Sequence, residues 1–213
     1  MDTRARAVTH FKKADQRLHA AVKPHMAMLP AELAYKRTRA DLFISLCSTV
    51  VSQQLGGAAA RSIFARVVKA CGGKLTPASV EKAKEVSLRN AGLSGAKIKT
   101  LKAVAHAVES GTIDLLELRK IPQESAKSRL TEIWGIGPWS ADMFLMFALG
   151  RSDVFSPGDL GLARAIEAIY GLPKNAPREK LIEISLSWAP YRTFASLALW
   201  RFRDSAPPKK KLK

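Results

Sequence analysis

The stretch 131–159, TEIWGIGPWSADMFLMFALGRSDVFSPGD, restricts the fold more than any other part of the chain. Gly135 and Gly137 flank Ile136, and glycine lets a backbone take positive φ and bring its N–H groups up to a ligand with no Cβ in the way. Pro138 follows, where a missing N–H costs nothing at the first position of a helix; this predicts a helix from 138 to about 149. Upstream, Pro122 opens a second helical stretch, QESAKSRLTEI. Residues 122–149 therefore read as helix, tight glycine turn, helix, with amide donors and a positive dipole end offered to an anion, most obviously a phosphate.

Elsewhere no stretch keeps a period of two and no segment repeats, so the chain reads as all-α with nine or ten helices and short loops. Ala7, Phe11, Ala14 and Leu18 recur at helical spacing, predicting one amphipathic helix over 2–22 that ends before Pro24. Asp41 is the expected cap of a helix apolar nearly all round, LFISLCSTVVSQQ, which belongs at the centre of a lobe and stops at Gln53-Gln54-Leu55, before Gly56-Gly57. Further helices are expected over 58–70, after Thr76-Pro77, over 97–109, over 112–120, over 160–170 closed by Gly171, and over 177–188 and 190–204. The organisation this predicts is an N-terminal helical segment 1–40 packing with the C-terminal lobe, a central helical domain 41–158 holding the hairpin, C-terminal helices 159–204, and a disordered basic tail 205–213. That tail, SAPPKKKLK, reads equally as an arm attracted to phosphates or as a solubilising end.

With 213 residues and 47% hydrophobic content the chain can bury one good core, or two small lobes sharing a cleft. Its 35 Lys+Arg against 18 Asp+Glu leave a net charge of +17, the electrostatic footprint of a polyanion binder. Nothing approaches the roughly 20 apolar residues that span a bilayer, and MDTRARAVTH lacks the apolar core of a signal peptide, which favours a cytoplasmic, DNA-associated protein over a membrane protein, with a monomer as the default. Cys47 and Cys71 read as small buried hydrophobes, and His10, His19 and His25 as surface residues with no metal-ligand spacing.

Asp159 follows Ser156-Pro157-Gly158 and precedes a helix, so locally it is an N-cap; a carboxylate fixed there can also stabilise positive charge. Asp153 is the rival acid. Asp142, in a mostly buried helix, needs partners and reads as structural, holding the hairpin. Trp139 is by default a core aromatic, and Met143 shares its helix face at four-residue spacing. Lys97 and Lys99 read as a solvated basic face or, beside a cleft, as phosphate ligands.

The order L-T-E-I-W-G-I-G-P-W-S-A-D followed by D-V-F-S-P-G-D-L-G-L resembles the helix-hairpin-helix DNA glycosylases, and within them the bacterial 3-methyladenine DNA glycosylase II group, over about residues 40–203. The L-S-G-A-K segment at 93–97 resembles a further motif of that family. The resemblance implies a two-lobed helical fold with the active site in the cleft between lobes. It also implies double-stranded DNA with damaged bases as partner and a cytoplasmic, nucleoid-associated setting. Some relatives carry a four-cysteine iron-sulfur cluster, which two cysteines cannot supply.

By resemblance, Asp159 is the catalytic acid and Asp153 a structural one; Gly135, Ile136 and Gly137 anchor the DNA backbone. Gln54 fills the gap left by an extruded nucleotide, with Gln53 and Leu55 beside it and Leu55 the alternative wedge. Trp139 and Tyr191 wall the pocket for a cationic base, with Met143 completing it. The carbonyls of Thr131, Ile133 and Ile136 match a K+ or Na+ site; no other cofactor is implied. Relatives that also cut the strand use a hairpin lysine where this chain has Trp139, so the implied enzyme is monofunctional. Alkylated purines are the implied substrates. A glycosylase for uracil, hypoxanthine or etheno-adenine, and a non-catalytic DNA-binding hairpin protein, are the alternatives. The chain departs from the pattern in lacking the extra N-terminal domain of longer relatives and in having Gly158 where some carry a second acid.

Overall fold

The computed structural model describes residues 2–33 and 37–205; the basic tail expected beyond Ser205 lies outside them. Among the described residues there are twelve α-helices, one 3-10 turn and no strand. In chain order the helices are α1 (Thr3–Ala14), α2 (Gln16–Met26), α3 (Arg39–Ser52), α4 (Gly57–Ala70), α5 (Pro77–Lys82), α6 (Glu85–Asn90) and α7 (Gly95–Glu109). The 3-10 turn (Glu117–Arg119) precedes α8 (Gln123–Thr131), α9 (Pro138–Phe147), α10 (Leu160–Tyr170), α11 (Arg178–Leu186) and α12 (Arg192–Ser205). None of these helices is long and apolar enough to cross a membrane.

Several expectations need correcting; the helix expected over 112–120 is only the 3-10 turn Glu117–Arg119. The single helix expected over 2–22 is two, because Asp15 leaves the helical region (φ −153°, ψ 92°) and caps α2 by accepting the Leu18 amide at 2.9 Å. A side-chain cap here outweighs an unbroken apolar period, and α2 runs past Pro24. The cap of α3 is Thr38 rather than Asp41: the Thr38 hydroxyl takes the Asp41 amide and the Asp41 carboxylate takes the Thr38 amide, a reciprocal box that places the acid one turn inside the helix. The helix count exceeds nine or ten partly for the first reason, and partly because Ala83 and Lys84, both extended, separate α5 from α6.

The chain divides into two compact units. One comprises Met1–Ala34 with Arg151–Lys213. In it α2, α10 and α12 pack on one another and α1 packs on α2. Phe11, Leu18, Val22, Leu162, Ile166, Trp188, Phe194 and Leu199 are fully buried in its core, each contributing about 1.5–3 kcal/mol of transfer free energy. Asp15 ties this unit together beyond its capping role: its carboxylate also takes the Trp188 indole N–H at 2.9 Å and the Tyr170 hydroxyl. Burial and that carboxylate push the Tyr170 phenol above its ordinary range.

The other unit is Tyr35–Gly150. Here α3 is the central element, packed against α4, α7 and α9, with Leu42, Phe43, Leu46, Cys47, Val50 and Val51 all buried. Such a helix, apolar round most of its circumference, has to be surrounded. Helices α8 and α9 pack on one another across the glycine turn, and burial pushes the Cys47 thiol above its ordinary value.

Candidate DNA-binding hairpin and candidate active site

The hairpin lies wholly within the unit Tyr35–Gly150. Its turn is pinned from below by Ile133 and Ile136, both buried, and closed by the Ile136 amide donating to the Ile133 carbonyl at 3.0 Å. The Ile136 N–H is thus committed to the turn and does not face a ligand. Gly135 takes φ +81°, and a Cβ built there meets the Thr100 hydroxyl oxygen at 2.0 Å, so α7 packs directly against the turn backbone. Only glycine meets both demands. Gly137 differs: its φ of −90° is open to any residue and nothing lies within 4 Å of its would-be Cβ. Its bareness leaves space beside the start of α9, where Pro138 and the absence of intrahelical acceptors make an anion-attracting end.

Buried Asp142 on α9 takes the Lys127 ammonium of α8 at 2.7 Å, joining the two hairpin helices. Gln53, at the end of α3, donates both amide hydrogens to this structure: to the Gly135 carbonyl at 3.1 Å and to the Ser140 hydroxyl at 2.9 Å. Gln53 therefore braces the hairpin rather than facing outward. Lys97 bonds the carbonyls of Val51 and Gln53 at 2.7 and 2.6 Å, satisfying the C-terminal end of α3, and burial lowers its pKa. Lys97 is neither a solvated face nor a phosphate ligand. Lys99 instead sits 4.2 Å over the half-exposed Trp134 ring.

With Gln53 and Lys97 fixed, Gln54 and Leu55 form the exposed tip of the loop, Gln54 in the left-handed region at φ 56°. On α9, Trp139 is half-buried and Met143 buried. The carbonyls assigned to a cation belong to the residues around this turn; the Ile133 oxygen already accepts one hydrogen bond but has a second lone pair. Among the described residues no group of three or more His, Cys, Asp and Glu side chains gathers at metal-binding range.

Asp159 belongs to the unit Met1–Ala34 with Arg151–Lys213. It caps α10, its Oδ1 accepting the Leu162 amide at 2.9 Å, and the same oxygen accepts the Trp200 indole N–H of α12 at 2.9 Å. Two donors on one oxygen fix the plane of the carboxylate. Asp159 is half-buried and lines a cavity of about 260 Å³ with Pro157, Gly158, Leu160, Arg164 and Arg178 among its walls. Asp153 is committed elsewhere: Arg192 grips it bidentately at 2.8 Å through each of two nitrogens and adds its backbone amide at 3.2 Å. Burial opposes its ionisation, but these bonds outweigh it and hold the carboxyl below its ordinary range.

Tyr191 is half-buried with its ring centroid 5.5 Å from that of His10, and it lines a separate cavity of about 410 Å³. His10 is thus no idle surface residue: its Nε2 lies 2.8 Å from the Ser187 carbonyl oxygen. The aromatic on Asp159 is Trp200, which the sequence showed only as one residue of the last helix. The two are 41 positions apart, and no local signal connects them.

The helix–glycine turn–helix of one unit and the capped carboxylate of the other are the features to set beside known proteins. The model of the HhH-GPD superfamily base excision DNA repair protein matches residues 47–190, and the chain belongs to that superfamily. A DNA-3-methyladenine glycosylase of Saccharomyces cerevisiae is 31% identical over 235 residues, covering 93% of this chain and 79% of the yeast protein. DNA-3-methyladenine glycosylase 1 of Schizosaccharomyces pombe is 35% identical over 159 residues, 73% of this chain and 70% of that one. Among solved structures, DNA-3-methyladenine glycosidase from Bacillus halodurans matches with TM-score 0.75 and 37% identity, covering 93% of this chain and 89% of its own. The S. pombe 3-methyladenine DNA glycosylase in complex with abasic DNA matches with TM-score 0.79 and 31% identity, covering 92% and 95%.

Proposed function

We propose that this chain is a monofunctional DNA glycosylase that extrudes alkylated purines such as 3-methyladenine and 7-methylguanine from duplex DNA and hydrolyses their N-glycosidic bond. The observation that carries this reading is the Asp159 carboxylate, fixed through Oδ1 by Leu162 and Trp200 at a cavity wall, in a chain whose relatives bear the name DNA-3-methyladenine glycosylase.

As the bond breaks, its electron pair leaves with the base, the positive charge of the alkylated purine is neutralised, and the sugar gains oxocarbenium character. A carboxylate held rigid beforehand stabilises that charge without reorganising, and it orients the attacking water and takes its proton. The alkylated base is already cationic, so electron-rich faces favour it over a neutral purine. Trp200, bonded to the Asp159 carboxylate, supplies such a face, and Trp139, Met143 and Tyr191 are the further candidates that the resemblance names. An indole at position 139 forms no imine with the sugar, so water is the nucleophile and an abasic site the product.

DNA is gripped at the start of α9 beside Gly137, and Gln54, at the exposed loop tip with Leu55 as the alternative, wedges the duplex. The neutral carbonyl oxygens of Thr131, Ile133 and Ile136 suit K+ or Na+, which when bound supplies positive charge beside the gripped phosphate. The protein acts as a monomer. Incubation with duplexes carrying 3-methyladenine, 7-methylguanine, uracil, hypoxanthine or etheno-adenine tests the assignment: free alkylpurine and an intact strand until alkali is added are expected. Release of only a non-alkylated lesion replaces the substrate, and tight binding with no release from any duplex leaves a non-catalytic hairpin protein.

A further inference from the structure

Asp159 is bracketed by two glycines, and neither Gly158 nor Gly161 is among those with positive φ. Backbone conformation is therefore not what calls for glycine at either position. Gly161 instead makes room for an arginine, whereas Gly158 only stands within ordinary contact distance of one that shares the Asp159 cavity. A Cβ on Gly161 meets Arg203 Nη1 at 2.1 Å and Asp159 Oδ1 at 3.0 Å, and a Cβ on Gly158 lies 3.7 Å from Arg178 Nη2. Gly161 is buried in the first turn of α10, where glycine weakens a helix relative to alanine, so its presence there wants a reason other than propensity.

Electrostatically both guanidiniums are poorly placed for stability. Arg203 lies over the opening turn of α10, and Arg178 is the first residue of α11, and helix N-termini disfavour cations. Their compensation within the protein is slight. Among the described residues Arg203 has one ion pair, with its sequence neighbour Asp204 at 2.6 Å, and both side chains are exposed. Among the described residues Arg178 makes no ion pair, although Arg164 in the same cavity is neutralised by Glu167 at 2.6 Å and bonded to Asn175 at 2.8 Å. Trp200 and Arg203 stand one turn apart on α12, so the helix that fixes the carboxylate also delivers a guanidinium beside it.

We propose that Arg178 and Arg203 form a phosphate clamp around Asp159, gripping the backbone phosphates on either side of the extruded nucleotide. This rests on the glycosylase reading for the identity of that nucleotide. Guanidinium is suited to the task because it stays charged and binds phosphate through paired donors. The clamp holds the sugar between its phosphates with C1′ toward the carboxylate, which makes both arginines positioning residues rather than catalytic ones.

The test is binding of the full chain to a duplex containing a tetrahydrofuran abasic-site analogue and to the matched undamaged duplex, across a salt series. Arg178→Ala and Arg203→Ala should each weaken binding to the abasic analogue on the order of tenfold and lower the slope of log K against log salt by about 0.9. Undamaged duplex should lose less. Arg203→Gln, which keeps the packed stem, should behave like the alanine variant, whereas Arg203→Lys should restore the slope; Gly161→Ala, by displacing Arg203, should reproduce its loss. Parental slopes in folded variants, or equal losses on both duplexes, overturn the clamp. Base release by the parent is scored separately, so the clamp and the glycosylase reading fail or stand independently.

Discussion

Gly135→Ala isolates the packing that holds the hairpin. The added methyl carbon would sit 2.0 Å from the Thr100 hydroxyl oxygen and 2.9 Å from both its Cβ and Cγ2, far inside contact distance, so α7 or the turn must move. Overpacking of this kind costs about 1–3 kcal/mol, and holding an L-residue at φ +81° adds about 1–2 kcal/mol. The expected destabilisation is therefore about 2–5 kcal/mol, read as a lower urea midpoint with unchanged slope. Because Gln53 bonds the Gly135 carbonyl, DNA binding should weaken even where the variant is folded. Thr100→Gly in the same chain should recover part of the stability, since it removes all three clashing atoms. Gly137→Ala is the control: with ordinary φ and open space it should change stability by less than about 0.5 kcal/mol while still weakening DNA binding. A Gly135→Ala protein as stable as its parent, or no coupling to Thr100, would refute the idea that the turn rests on α7.

Trp200→Phe keeps a ring on α12 but removes the N–H on Asp159 Oδ1, and single-turnover excision should slow about tenfold, the cost of one charge-assisted bond, with little change in DNA affinity. Asp15→Ala removes the cap of α2 and strands the Trp188 N–H and Tyr170 hydroxyl, so calorimetry or urea unfolding should register a loss of about 3 kcal/mol or more. The Asp153–Arg192 pair sets an acid limit. Its folded pKa lies below the unfolded one, so its stabilisation is complete above the ordinary aspartate value of about 3.9 and is lost as pH falls through the lowered folded value. Stability should therefore fall less steeply below pH ~4 in Asp153→Asn than in the parent.

What the sequence made legible was whatever is written locally. Gly135 and Pro138 announce the turn and helix start by their own backbone limits, and Asp159 caps α10 as its place before an apolar helix suggests. Gly171 closes that helix at φ +69°. Asp142 had to have a partner, though nothing in the pattern singled out Lys127. Hidden from the sequence were choices made by side chains meeting across the fold. Thr100 beneath Gly135, Gln53 reaching the hairpin and Trp200 reaching Asp159 depend on how helices pack, and no spacing rule encodes that. The missed break at Asp15 is of another kind: the apolar period runs straight through it, and only the capping bond to Leu18 and the pull of Trp188 and Tyr170 decide the matter. Lys97 shows the same limit in reverse, a residue with a solvent-facing pattern drawn inward by the unsatisfied carbonyls of α3.

The most direct measurement is single-turnover release of 3-methyladenine by the parent and by Asp159→Asn at saturating enzyme. Asparagine keeps the size and the capping oxygen but not the charge, so α10 should stay folded and DNA should still bind. The account predicts release by the parent and a loss of about 100-fold or more in the variant. Equal rates would contradict it.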